Sequence, residues 1–259
     1  MLQHIELHCQ HPAEINLVQL TDTHISADPG ELLAGVNTTD TLLEVINAVN
    51  RHEGVDLALL TGDLANDPSV EVYEKLAGIM GRLELPVYCL AGNHDEPGLM
   101  ERLLNGGNIS TANFLTGGAW SIILLNTHKP GTDGGCLAAA ELSRLDTALE
   151  RSRGRHVLVC LHHHPVSIRS PWMDSMALEN SEALFRALDR HDNIRGILWG
   201  HIHQEFSMTR NGALLLGSPS TCVQFLPRAE RAGTDDKPPA YRTVTLAADG
   251  AIRTQVHWL

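Results

Sequence analysis

Five short stretches of this chain end an apolar run in side chains able to bind a hard cation or move a proton. They are Asp22-x-His24, Gly62-Asp63, Gly92-Asn93-His94-Asp95, His162-His163-His164 and Gly200-His201-x-His203. Asn93 offers an amide oxygen to a cation, and His94 offers an imidazole to a phosphate or a proton. Gly92 lets the backbone turn where a side chain would crowd it. In an extended segment residues i and i+2 share a side, so Asp22 with His24, and His201 with His203, are each expected to point two groups into one pocket. Carboxylate, amide and imidazole donors without a thiolate suit Fe, Mn or Zn. Two such ions about 3.5–4 Å apart hold a hydroxide between them and stabilise in-line displacement at phosphorus.

The elements that must position these groups are legible as alternating runs. Strands are expected over residues 15–20, 55–60, 87–91, 120–125, 156–161 and 194–199, each running into one of the stretches above except 120–125, which enters a Gly- and Pro-rich loop. Helices are expected over 40–52 with a Thr38 or Thr39 cap, over 70–81 capped by Ser69, from Pro97 to about 104, over 138–151 and over 180–190. From about 205 the pattern changes to strands alone, 205–210, 213–217, 241–246 and 251–258, with 227–239 a mobile surface loop. Strands alternating with helices, then strands alone, predict an α/β protein: two β-sheets packed face to face as a sandwich, flanked by helices, in one domain over 1–259. In such sheets sites form beyond the carboxyl ends of the strands, where all five stretches lie.

Composition narrows the function. The 259 residues are 43% hydrophobic and carry a formal charge of −12, which argues against nucleic-acid polymers and anionic membranes as partners. A local metal pair would still attract a small phosphate. Seven of the 15 histidines follow apolar runs, while His4, His8 and His11 lie in a polar leader and are read as solvated. Cys9, Cys89, Cys136, Cys160 and Cys222 form no framework, as expected of reduced thiols in a cytoplasmic protein. No signal peptide or membrane span is evident.

Taken in order, Asp-x-His, Gly-Asp, Gly-Asn-His-Asp, His-x-Pro and Gly-His-x-His resemble the calcineurin-like metallophosphoesterase superfamily from about residue 16 onward. Thr21-Asp22-Thr23-His24, His162 to Pro165, Gly200 to Glu205 and Pro219 to Phe225 are similar to its class III cyclic-nucleotide phosphodiesterases. The resemblance implies one metal at Asp22, His24 and His203, a second at Asn93, His163 and His201, and Asp63 bridging them, with an Fe-containing pair favoured. His163 is chosen by the family's His-x-Pro spacing before Pro165, leaving His162 and His164 in supporting roles. The implied reaction is hydrolysis of 3′,5′-cyclic AMP to 5′-AMP by a metal-held hydroxide. Asp63 and His94 are the catalytic residues, His94 protonating the departing ribose oxygen, and the phosphate meets His24, Asp63, Asn93, His94 and His203. The rivals are a broader phosphodiesterase acting on 2′,3′-cyclic nucleotides or glycerophosphodiesters, and a metal-free scaffold. Edge strands leave room for a homodimer across a two-fold.

Other residues carry two readings each. Asp95 either orients His94 or caps a turn; Asn66 and Asp67 either approach the pocket or start a helix. Thr23 and Thr221 either bind phosphate or cap backbone. Trp172 and Phe225 either stack on an adenine or pack in the core, and Lys129, Arg169 and Arg228 either meet a phosphate or stay solvated.

Overall fold

The computed structural model describes residues 1–10 and 14–259, so the reading of His11 falls outside it. The chain begins with β1 (His4–Glu6), β2 (Glu14–Leu20), α1 (Thr38–Val49), β3 (Leu57–Thr61), α2 (Val70–Met80) and β4 (Val87–Leu90). It continues through α3 (Pro97–Leu103), β5 (Ile109–Ser110), β6 (Phe114–Gly117), β7 (Trp120–Leu124), α4 (Ala139–Arg151) and β8 (His156–Leu161). Then come α5 (Pro171–Asp174), α6 (Ser181–Leu188), β9 (Ile194–Trp199), β10 (Phe206–Arg210) and β11 (Ala213–Gly217). The last strands are β12 (Gln224–Phe225), β13 (Thr234–Asp235), β14 (Ala240–Ala247) and β15 (Ile252–Trp258).

Two large sheets form. One has the order β15-β14-β2-β3-β4-β5, the other β1-β6-β7-β8-β9-β11-β10. The inner strands β2, β3 and β4 are parallel, as are β7, β8 and β9, so their carboxyl ends gather at one rim. Alternation decides which residues face which layer. On β2, Ile15 and Leu17 meet Leu59, Ile122, Leu158 and Leu246 between the sheets. Val18 and Leu20 turn outward against α1 and α2, through Leu42, Ile46, Val72 and Leu76. The far face of the second sheet is covered by α4 and α6, through Leu145, Leu149 and Leu184. Burying each such aliphatic side chain contributes about 1.5–3 kcal/mol, which fixes strand register and with it the rim geometry.

The expected strands and helices are present with small shifts at their ends. Ser69 caps α2, accepting from the Val72 amide. α1 is capped by Asn37 rather than Thr38 or Thr39, its side chain accepting from the Thr39 and Asp40 amides. The leader is structured: β1 pairs with β6, and His4 and His8 are exposed as expected, although His4 Nε2 lies 2.8 Å from Thr116 Oγ1. Strands β1, β5 and β6 escape sequence reading because segments of two to four residues are too short for a period and are held by their partners. The late strands divide between the two sheets, β10–β11 joining one and β14–β15 the other. The 227–239 segment contains β13, which pairs with β12, and buried Ser170 pins it by hydrogen bonds to Ala229 N and O. No helix among the described residues is long and apolar enough to cross a membrane.

Candidate metal centre

Among the described residues, five of the nine non-glycine residues with positive φ are Asp22 (55°), His24 (43°), Asp63 (50°), His201 (66°) and His203 (46°). Left-handed backbone at a residue with a Cβ is unfavourable and persists where the surroundings enforce it. The expected side-sharing of residues two apart is therefore achieved by another route. The chain leaves β2 and β9 in tight left-handed bends, and these aim Asp22, His24, His201 and His203 at one another. The bends interlock through the backbone: Asp22 N donates to Gly62 O, His24 N to Asp63 O, and His201 N to both Asp22 carboxylate oxygens. Such close approach excludes side chains at two turns. A Cβ on Gly92 would collide with Asp63, and one on Gly62 with the His162 ring.

The ligand-type atoms fall into overlapping groups. Asp22, His24 and His203 bring one atom each within 4.8 Å of the others, as do Asp22, Asp63 and His162, and His162, His163 and His201. Asp63 Oδ2 lies 3.8 Å from His24 Nε2 and 3.3 Å from His162 Nε2, standing between the halves. His203 Nε2 is 3.3 Å from Asp22 Oδ1 and 3.4 Å from His24 Nε2. Asn93 Oδ1 is 3.2 Å from His162 Nε2.

Main-chain carbonyls set the ring orientations. His162 Nδ1 donates to Thr61 O at 2.8 Å and His203 Nδ1 to Val223 O at 2.6 Å, turning both Nε2 lone pairs inward. His201 donates instead through Nε2, to Met176 O at 3.1 Å, which leaves Nδ1 for the centre. Fixing one ring nitrogen so that the other is a free lone pair is how proteins prepare imidazoles for metals.

The choice among the three adjacent histidines differs from the expectation. His163 has both nitrogens engaged, Nδ1 with Thr127 Oγ1 at 2.7 Å and Nε2 with Asp133 O at 3.2 Å, and it packs beside His201. The position next to Asp63 and Asn93 belongs to His162. Alternation along β8 is the signal that finds it. Leu158 and Cys160 face between the sheets and so does His162, whereas Val159 and Leu161 face the helices. His164 is buried, 3.5 Å from Asp174 Oδ1, and stacks on His201.

Electrostatics suit a cation. Burial pushes Asp22 and Asp63 up, but the adjacent imidazoles more than offset it: His203 and His162 hold Asp22 below the usual carboxylate value, and His162 and His24 hold Asp63 well below it. Burial lowers His24 to about 4 and keeps His163 and His201 well below the ordinary imidazole value. His162 is the exception: burial lowers it, yet Asp63 beside it lifts it to about 9. Two buried carboxylates ringed by imidazoles, with the proton on His162 held in place by Asp63, form a donor set that divalent ions fit.

His94 is exposed at the rim, edge-on to His24 with ring centroids 4.9 Å apart. Its Nδ1 donates to Asn66 O at 2.9 Å, and its amide donates to Asp63 Oδ1. Asp95 takes the turn-capping role, accepting from the amides of Leu64, Ala65 and Gly92 and from the Tyr73 hydroxyl. Thr23 caps backbone at Leu64 O, while the buried Thr221 Oγ1 lacks a partner among the described residues. Phe225 stacks on His203 at 4.0 Å and 11°, with Trp172 edge-on behind it, so the two aromatics back the centre as a packed pair. Asn66 reaches Glu31 and Asp67 at its side chain; Lys129 pairs with Glu179, and Arg169 and Arg228 are exposed. The carbonyls of Thr61, Asn66, Met176 and Val223 are functional atoms that residue identity could not reveal, since every residue carries one.

Comparison with known proteins shows the family and the fold. The sequence model of the calcineurin-like phosphoesterase family matches residues 15–205. A 3′,5′-cyclic adenosine monophosphate phosphodiesterase of Pseudomonas aeruginosa is 39% identical over 245 residues, 94% of this chain and 90% of that protein. A 3′,5′-cyclic-nucleotide phosphodiesterase of a Nostoc species is 37% identical, over 93% and 91%. Among solved structures, a dimetal phosphatase from Danio rerio superposes with a TM-score of 0.61 at 17% identity, covering 94% of this chain and 98% of its own. A purple acid phosphatase from yellow lupin gives 0.67 at 11% identity, over 97% and 52%. At such identities the structural likeness speaks to the fold alone.

Proposed function

The chain belongs to the calcineurin-like phosphoesterase family, and from that premise we propose that it is a dinuclear-metal phosphodiesterase that hydrolyses 3′,5′-cyclic AMP to 5′-AMP. The observation that carries the metal part is the buried convergence of Asp22, His24, Asp63, His162, His201 and His203, with Asn93 beside them. The substrate part rests on likeness to relatives named for cyclic AMP.

In this reading Asp22, His24 and His203 would hold one divalent ion and Asn93, His162 and His201 the other, with Asp63 available to both. The donor set suits Fe, Mn or Zn, and such ions supply a Lewis acid at the phosphate and an acidified water. The protein's own work is positional and acid–base. The adjacent imidazoles of His203, His162 and His24 hold Asp22 and Asp63 ionised against burial. His94, its Nδ1 held by Asn66 O, presents Nε2 to the substrate. Water adds to phosphorus and releases a proton to solvent, the bond from phosphorus to O3′ breaks, and His94 Nε2 gives its proton to the departing ribose oxygen and is reprotonated from solvent. An alkoxide leaves slowly without such an acid.

The test compares kcat/KM for 3′,5′-cyclic AMP, 3′,5′-cyclic GMP, 2′,3′-cyclic AMP and glycerophosphocholine, with Fe, Mn and Zn each supplied separately. Cyclic AMP is expected to be the best substrate with at least one metal. Turnover of another diester with none of cyclic AMP would overturn the assignment in favour of a broader phosphodiesterase.

A further inference from the structure

The interior between the sheets is largely apolar until the layer below the cage, where it turns polar. On β2 the inward series is Ile15, Leu17, Gln19; on β14 it is Leu246, Val244, Arg242. Gln19 and Arg242 are direct cross-strand partners, 1% and 2% exposed. An apolar pair would continue the core at lower cost, because a buried guanidinium loses its hydration. Burial accordingly lowers Arg242 to about 10.

The hydrogen bonds run in one direction. A guanidinium only donates, so Arg242 Nε gives to Ser218 Oγ at 2.8 Å, and its other nitrogens give to Gly217 O and Thr254 Oγ1. Ser218 Oγ must then donate to Gln19 Oε1. That fixes the amide, whose Nε2 donates to Thr61 Oγ1 at 2.7 Å and Trp199 O at 3.1 Å. Thr61 ends β3, precedes Gly62-Asp63, and its carbonyl orients His162. Trp199 ends β9 and precedes Gly200-His201. One amide therefore ties together the strand ends that deliver Asp63 from one sheet and His201 from the other.

We propose that Gln19 is a positioning residue that sets the separation of the two halves of the cage, with Arg242, acting through Ser218, holding its amide in register. Arg242 and Ser218 lie outside the span matched by the family model. The inference rests on the reading of the cage as a two-metal centre.

The experiment titrates metal-stripped full-length protein with Mn²⁺ by calorimetry and records the spin-exchange coupling between bound ions by electron paramagnetic resonance. Gln19→Met keeps the bulk and removes the amide; Ser218→Ala breaks the link to Arg242 and serves if Gln19→Met does not fold. Val244→Ala, on the same inner face, controls for general destabilisation. Gln19→Met is expected to weaken Mn²⁺ binding about 10- to 100-fold, the range for residues that orient metal ligands, and to alter the exchange coupling. Val244→Ala should lower the melting temperature while leaving both readouts as in wild type. Wild-type affinity and coupling in Gln19→Met, or equal changes in Val244→Ala, would overturn the positioning role alone. Wild-type protein taking up no ion would overturn the reading of the cage and this inference with it.

Discussion

The imidazole of His94 is oriented by the main-chain oxygen of Asn66, 2.9 Å from Nδ1, while Asp95 next to it in sequence turns away onto the amides of Leu64, Ala65 and Gly92. This exposed ring is thus held by a group that does not titrate.

If His94 is the acid for the leaving oxygen, His94→Ala should lower kcat on cyclic AMP by about 10²–10⁴. An aryl phosphodiester, whose leaving group needs little protonation, should lose far less. Both ions should remain bound, measured by elemental analysis. Equal losses on the two substrates would remove His94 from that role.

Asp95→Ala should act on stability. It leaves three amides and the Tyr73 hydroxyl without their acceptor, at about 1–3 kcal/mol for each buried donor left unsatisfied. Urea denaturation should show a loss of several kcal/mol, while the ratio of cyclic AMP to aryl diester turnover stays at the wild-type value. A ratio shifted to that of His94→Ala would show that Asp95 governs the acid.

The adjacent histidines separate by metal content. His162→Ala removes the imidazole beside Asp63 and Asn93 and should leave one ion per chain. His163→Ala, whose nitrogens face Thr127 and Asp133, should retain two, with affinity weakened no more than about 10- to 100-fold. The reverse pattern would restore His163 as the ligand.

The metal-free protein should lose stability as pH falls below neutrality. Burial holds His24 and His164 at about 4, and His163 and His201 well below the ordinary value, whereas the unfolded chain protonates near pH ~6.5. Folded values below unfolded ones mean that this stability is present above pH ~6.5 and is lost on acidification. Asp95 opposes them: burial, Asp63 adding to it, raises it to about 6, so the folded state holds its proton where the unfolded one does not. His162, at about 9, is protonated in both states there. The lowered imidazoles outnumber the one opposing carboxyl, so the net slope is a loss of stability as pH falls below ~6.5, about 1.4 kcal/mol per pH unit for each net proton taken up on unfolding. Urea titrations of chelator-treated protein measure it, and stability that is level from pH 7 to 5 would contradict the burial of these rings.

Residue type and order were enough to locate the ligand-bearing segments, because Asp22, Asp63, Asn93 and His201 each end a run whose apolar pattern declares a strand. Their local geometry was not legible. The left-handed bends at Asp22, His24, His201 and His203 are held by backbone bonds between the ends of β2 and β3 and by the His201 amide on the Asp22 carboxylate, partners far apart in sequence. Spacing before Pro165 favours His163, whereas the register of β8 and the Thr61 carbonyl turn His162 toward Asp63. For Phe225 the sequence leaves base stacking and core packing both open, and its packing on His203 depends on where the β12–β13 hairpin folds back. Short strands such as β5 and β6 exist only through their neighbours.

The most direct measurement of the account is an anomalous diffraction map from crystals soaked in Mn²⁺. Two peaks about 3.5–4 Å apart are expected, one among Asp22, His24 and His203, the other among Asn93, His162 and His201, with Asp63 touching both. A single peak, none, or ions held by other side chains would contradict it.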